Sequence, residues 1–255
     1  MLFLDIETKA HKAAVWGLWG QNIGINQIIE PGRTICAAWK WQATKAVEFA
    51  SEWETPCALE DSGTTYKRFL EKLHAALDAA DVVVTYNGKK FDVPTLYREF
   101  VLHKLQPPSP FHHIDLYQTV RRQFRFASNK LDFVCQQLGL GAKTHHKGMG
   151  LWNEVEAGCL KARRVMERYN KQDVKLLERL YVHIRPWIKN HPSLSLIAER
   201  VGMVCPTCSS DDLEFRGFRY TRTRRYRRFK CKSCGAWGSM TASEKDVVGS
   251  TTGCP

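Results

Sequence analysis

Met1-Leu2-Phe3-Leu4-Asp5-Ile6-Glu7-Thr8 begins the chain with apolar residues that favour a strand, then sets two acids two positions apart. A strand alternates its faces with period two, so Leu2, Leu4 and Ile6 share one side while Phe3, Asp5 and Glu7 share the other. Two carboxylates about 7 Å apart along one face can grip a hard divalent cation if further oxygen ligands arrive from elsewhere. Acids at a strand end that only face water are the plain alternative. The rest of the chain has to decide between them.

Working outward, 255 residues suffice for one good-sized core and a small appendage. Thirty-eight basic against 26 acidic residues leave +12, which points to a polyanionic partner, nucleic acid first. No apolar run approaches the roughly 20 residues of a membrane span. Acids at positions 5 and 7 do not fit a secretory leader. The expectation is therefore a cytoplasmic protein without a membrane partner. Of nine cysteines, Cys36, Cys57, Cys135, Cys159 and Cys254 stand singly, whereas Cys205, Cys208, Cys231 and Cys234 form two C-x2-C pairs. An odd count in a cytosolic chain argues for metal binding by the paired four over a disulfide framework.

The stretch from Lys9 to Gly32 has little periodicity and holds Trp16 and Trp19 among glycines. These rings either stack on bases or pack the loop onto its own core, and packing is the expectation. Arg33 to Trp41 and Lys45 to Ser51 read as a hairpin beside the first strand. Tyr66, Phe69, Leu70, Leu73 and Leu77 recur at helical spacing. Val82-Val83-Val84-Thr85 is a β-branched run without alternation, as in a strand buried on both faces. Asn87-Gly88 turns the chain, and Asp92-Val93-Pro94 starts a helix whose inner face is expected to be Leu96, Phe100 and Val101. A short strand at Phe111 to Ile114 precedes another helix. Asn129 to Leu138 is a compact helix stopped by Gly139 and Gly141. Residues from about Glu156 to Lys189 are helical almost throughout. This alternation makes an α/β layered domain over residues 1–190, with a joint at 191–203 and a second small domain over 204–255.

Asp92 stands where a buried strand gives way to a helix, and it reads equally as that helix's N-cap or as a ligand. Tyr169 and Asp173 lie four apart on one helix face. Taken in order, Asp5-x-Glu7, Asn87-x3-Phe91-Asp92 and Tyr169-x3-Asp173 resemble the three exonuclease motifs of the DEDD (DnaQ-like) 3′→5′ exonuclease superfamily. Asn129-Lys130-Leu131-Asp132 is similar to the segment between the second and third motifs in family B proofreading domains. Tyrosine four before the last aspartate resembles the DEDDy branch, since Arg168 stands where the histidine branch needs His. The resemblance implies a ribonuclease H-like mixed sheet flanked by helices, with two Mg²⁺ or Mn²⁺ ions. In it Asp5 would bridge both ions, Glu7 and Asp173 would complete one site, and Asp92 would act largely through water. Tyr169 would orient the attacking water, and Asn87 and Phe91 would lie against the terminal nucleotide, although Phe91 also suits core packing. Oxygen ligands suit those ions, and a metal pair serves both the attacking and the leaving oxygen of a phosphodiester.

Three further features could be taken for chemistry. His145-His146 reads as a pair of exposed loop histidines, and Asp115 as a helix N-cap. Arg121, Arg122 and Arg125 either track phosphates or form a solvated face.

Cys205-Pro206-Thr207-Cys208 and Cys231-Lys232-Ser233-Cys234 have the spacing of a zinc ribbon that holds one structural Zn²⁺. Between Arg216 and Lys232 nine Lys/Arg and no acid interleave with aromatics. Arg219, Arg222, Arg224, Arg225 and Arg227, with Tyr220 and Tyr226, have the composition of a single-strand platform. A docking module for a polymerase or another replication or recombination protein is the alternative use. The expected activity is metal-dependent 3′→5′ hydrolysis of DNA, single strands favoured. An RNA 3′-end trimmer and a non-enzymatic nucleic-acid-binding protein of the same fold are the rivals. No polymerase motifs follow, so proofreading would need a partner chain. The build looks like that of phage or mobile-element products, which would act in a host cytoplasm.

Overall fold

The computed structural model describes residues 1–54, 62–144 and 148–246; His145 and His146 lie outside them. Strand β1 (Leu2–Thr8) is followed by a two-stranded ribbon, β2 (Lys12–Ala13) with β3 (Ile28–Glu30), then β4 (Thr34–Trp41) and β5 (Glu48–Ser51). Next come α1 (Ser62–Asp78), β6 (Val82–Thr85), α2 (Asp92–Leu102), β7 (His112–Asp115), α3 (Leu116–Gln123) and α4 (Leu131–Gln137), then α5 (Met149–Glu156) and α6 (Leu160–Ile184). Beyond these lie α7 (Leu194–Ile197), β8 (Leu213–Tyr220), β9 (Arg224–Cys231), β10 (Trp237–Ser239) and β11 (Lys245–Asp246). The chain divides into two compact units, Met1–Tyr181 and the residues from Val182 on. Among the described residues no helix is long and apolar enough to cross a membrane.

In the first unit five strands lie in the order β5-β4-β1-β6-β7. β1 pairs antiparallel with β4 and parallel with β6, so the sheet is mixed, with helices against it. The alternation of β1 divides its side chains as the sequence suggests. Leu2, Leu4 and Ile6 join Phe69, Leu70, Leu73 and Leu77 of α1 in one core. On the other face Phe3 meets Tyr181 of α6 edge-on at 5.5 Å. Asp5 and Glu7 stand opposite Ala38 and Cys36 of β4, whose small side chains leave room for carboxylates. β6 is buried at all four positions, as a β-branched run between two parallel neighbours should be.

Two expectations change. Val101 is 74% exposed, and Glu99 is buried beside Leu96 and Phe100. Position 99 lies three from Leu96 and so shares its face, whereas Val101 is rotated away from it. The Lys9–Gly32 stretch also fails to pack its tryptophans, since Trp16 is 98% and Trp19 88% exposed. Within the long helical run α6 occupies Leu160–Ile184, and α5 precedes it, separated by a break where Gly158 takes φ +86°.

In the second unit β8 and β9 form a hairpin, with β10 and β11 on β9's other edge. The register slips by one residue between Phe215 and Phe218, at Gly217, whose φ is +65°. This bulge brings Phe215, Phe218 and Tyr220 onto one face with Arg225 and Arg227.

Candidate active site

The acid pair on β1 meets α6 coming across its face. Tyr169 and Asp173 sit one turn apart on that helix, and one ligand oxygen each from Asp5, Glu7 and Asp173 lies within 4.8 Å of the others. Asp173 is fully buried, yet its Oδ1 has no hydrogen-bond partner. Burial pushes the Asp5 carboxyl well above the usual carboxylate range, and repulsion from Asp173, Glu7 and Asp92 adds to it. Glu7 is raised to about 8, first by burial and then by Asp173. Buried like charges with an orphaned oxygen fit a cation that would neutralise all three.

Asp92 stands off from this trio. Its Oδ1 accepts the Ile6 amide at 3.3 Å, and burial raises its pKa to about 7. It occupies the first residue of α2, and the cap position belongs to Phe91. The turn before it is built for close approach. Asn87 adopts φ +68°, and a Cβ on Gly88 would come 2.3 Å from Thr85 Oγ1. Asp115 braces this turn, accepting the amides of Asn87 at 2.8 Å and Lys89 at 3.3 Å while capping α3 through Tyr117. Asn87 lines a cleft of about 740 Å³ with Asp5, Tyr86, Lys143 and Tyr169. Phe91 is 44% exposed, which excludes the core-packing alternative.

Two residues that the sequence did not bring forward complete the site. The Lys143 ammonium bonds the Asp173 carboxylate and donates to Tyr169 Oη at 3.1 Å. Burial alone would lower its pKa, but Asp173 and Tyr169 hold it above the usual lysine value. Its loop is fixed by Asp132, whose Oδ1 accepts the Lys143 amide at 2.7 Å. Nothing in the local pattern of Gly141-Ala142-Lys143 marks it. Asn170 is fully buried and donates from Nδ2 to Asp5 Oδ2 at 2.6 Å. Its signal was present, since a polar residue three before Asp173 shares that helix face. Tyr169 is buried against Trp152 of α5 at 6.1 Å, and burial keeps its hydroxyl protonated far above the ordinary tyrosine range.

A profile of the RNase H superfamily matches residues 51–185, just over half of the 255. The chain belongs to the RNase H superfamily. The matched range contains Asp92, Tyr169 and Asp173 and begins after β1. A family B DNA polymerase from the archaeon Pyrobaculum calidifontis aligns structurally with TM-score 0.49 and 17% identity. That alignment covers 72% of this chain and 24% of the polymerase, so the chain spans about a quarter of that protein's length. A search of curated protein sequences returns no match. Membership of the superfamily makes nuclease chemistry the coarse reading of the acid cleft.

In the second unit the four cysteine sulfurs all lie within 4.8 Å of one another. Cys205 to Cys234 measures 3.7 Å and Cys208 to Cys231 3.6 Å. A tetrahedron with Zn–S arms of 2.3 Å has edges of about 3.8 Å, so the set fits zinc with no open position. On the hairpin, guanidinium groups already cover rings: Arg219 over Tyr226 at 4.8 Å, Arg225 over Phe218 at 4.2 Å and Arg227 over Phe215 at 4.4 Å. Tyr220 is exposed near the hairpin end, and Arg222 and Arg224 lie in and just after the turn.

Proposed function

We propose that the protein is a metal-dependent 3′→5′ exonuclease of the DEDDy type that degrades DNA, single strands favoured. Residues 1–190 would form its nuclease domain and 191–203 the linker. Residues 204–255 would be a zinc ribbon that helps hold nucleic acid. The observation that carries this reading is the close trio of half-buried Asp5 and Glu7 with buried Asp173, whose Oδ1 is orphaned. Asp5, Glu7 and Asp173 would hold Mg²⁺ or Mn²⁺, with Asp92 serving through water. When bound, such ions supply positive charge to the attacking and leaving oxygens and lower the pKa of a water.

The chain's own groups do the rest. Asn170 fixes one Asp5 oxygen and so orients the carboxylate. Tyr169, kept protonated by its burial, directs a water by hydrogen bonding and does not remove its proton. Lys143 holds the Tyr169 hydroxyl in place and puts a fixed positive charge beside the phosphate. Asn87 and Phe91, at either end of the turn before α2, are assigned to the terminal nucleotide. On the ribbon, guanidinium planes held over rings are set in advance to meet backbone phosphates.

The test uses single-stranded DNA, double-stranded DNA and RNA, each labelled at one end, with Mg²⁺, Mn²⁺ or EDTA. A 3′ label should leave as mononucleotide at once, a 5′ label should give a descending ladder, and EDTA should stop both. Shortening from the 5′ end, or binding without cleavage in either metal, would overturn the assignment. Faster removal from RNA than from DNA would reassign the substrate.

A further inference from the structure

The connection between β2 and β3 leaves the sheet directly after the catalytic strand. Thr8 follows Glu7, and the Lys9 amide bonds the Arg33 carbonyl at 3.0 Å. The root is rigid: the Ala14 amide donates to the Gln27 carbonyl at 2.9 Å, and Gln27 Nε2 returns a bond to the Ala14 carbonyl at 2.9 Å. The ammonium groups of Lys9 and Lys12 both reach Glu156 at the end of α5. That helix carries Trp152, which packs on Tyr169. The root is thus clamped to the element that backs the site tyrosine.

The tip is different. From Ala13 to Ile29 no residue is ionisable, in a chain that carries +12 overall. Trp16 and Trp19 stand almost wholly in solvent, with Leu18 and Ile25 exposed beside them. Apolar surface of this extent marks an interaction site. Without a cation it cannot track phosphates, but indole faces take up bases of any sequence. A cleft of about 740 Å³, lined by Asp5, Asn87, Lys143 and Tyr169, opens beside the acids, and the bases of a strand longer than that cleft must rest elsewhere.

We infer that Trp16 and Trp19 form a base-stacking platform for single-stranded nucleic acid, immediately upstream of the acid cleft; this rests on the nuclease reading above. The platform holds bases and leaves phosphates alone. Its contribution to affinity therefore does not depend on salt, unlike that of the arginine hairpin.

The test uses the full chain with Asp5→Asn to suppress turnover, and a fluorescent oligothymidylate read by anisotropy. Stacking on aromatic side chains contributes about 1–3 kcal/mol per base, so removing each ring should raise Kd roughly tenfold. Trp16→Ala with Trp19→Ala should therefore weaken binding by about 100-fold with an unchanged slope of log K against log salt. Trp16→Phe with Trp19→Phe should recover most of the affinity. An abasic oligonucleotide should bind the parent weakly and lose little more in the alanine variant. Both rings face solvent, so thermal melting serves as the control for folding. Equal Kd in parent and alanine variant, with wild type still degrading DNA, would overturn the platform and leave the nuclease reading intact. A parent that binds no oligonucleotide, with a wild type that cleaves none, would remove the nuclease reading itself. Loss of a concentration-dependent dimer in the alanine variant at unchanged Kd would assign the rings to a second copy.

Discussion

Glu7, with a pKa of about 8, and Asp92, at about 7, hold protons in the fold that the unfolded chain has already released at lower pH. The folded state thus binds more protons between the ordinary carboxylate range and pH 8. The resulting stabilisation is complete below that range and is lost as pH rises through 7 to 8. Metal-free protein should accordingly show a melting temperature that falls from pH 5 to pH 8, and Mg²⁺ or Mn²⁺ should restore it most at the upper end. A flat or rising profile in EDTA would contradict the buried acid cluster. At the same scale, Asp5→Ala or Asp92→Ala should reduce turnover below a tenth of wild type with the fold retained, since removing a buried carboxylate offsets the Asn170 or Ile6 donor left unpaired. Tyr169→Phe should be milder, because it removes a water-directing hydroxyl and no ligand. Lys143→Met should raise the affinity for divalent ions in a calorimetric titration, since the ammonium occupies Asp173, while slowing turnover by tenfold or more. Lys143 was invisible in the sequence because its place depends on Asp132 of α4 holding its amide and on Tyr169 and Asp173 of α6 meeting its ammonium.

At the level of elements, the turn from β6 to α2 sets the position of Asp92. Gly88→Ala would drive a methyl into Thr85, an overpacking that costs about 1–3 kcal/mol and shifts the start of α2. We expect a lower melting temperature together with a marked loss of turnover. Gly139→Ala is the control: its φ is +68° but nothing lies within 4 Å of the added Cβ, so only backbone strain of about 1 kcal/mol is expected, with activity retained. The elements themselves were largely legible. β1, β4, the helix over Tyr66 to Leu77 and the buried β6 follow from period and β-branching. Val101 was misplaced because a helix face inferred from three apolar residues is ambiguous by one position, and a buried glutamate took the place instead. The exposed tryptophans contradicted the general rule that large rings are buried, and such exceptions cluster where a surface has a job.

For the whole molecule, charge and metal divide the labour. Residues 201–255 carry 10 basic and 5 acidic side chains, +5, and the remainder carries 28 and 21, +7. If the hairpin arginines meet three or four phosphates, each contributes about 0.7 to the salt slope of single-strand binding. Replacing Arg219, Arg225 and Arg227 with alanine should then flatten that slope by about two units, weaken affinity at low salt and leave turnover at saturating substrate near normal. An unchanged slope would hand the ribbon to a protein partner. A strong chelator should expose Cys205, Cys208, Cys231 and Cys234 to thiol reagents together, because a closed four-thiolate site and the fold around it are lost as one.

The sequence alone carried the class of fold, the order of the three acidic motifs and the paired cysteines. These rest on short-range regularities: the strand's period of two, the helix's near-four, and ligand spacing within a knuckle. Tertiary structure alone decided which acids share one cation-sized space and which stands off, because strand β1 and helix α6 meet only when the sheet is covered. It likewise decided that Lys143 reaches Tyr169 and Asp173 and that Trp16 and Trp19 stay in water. Those facts depend on contacts between residues far apart in the chain, and no local period encodes them.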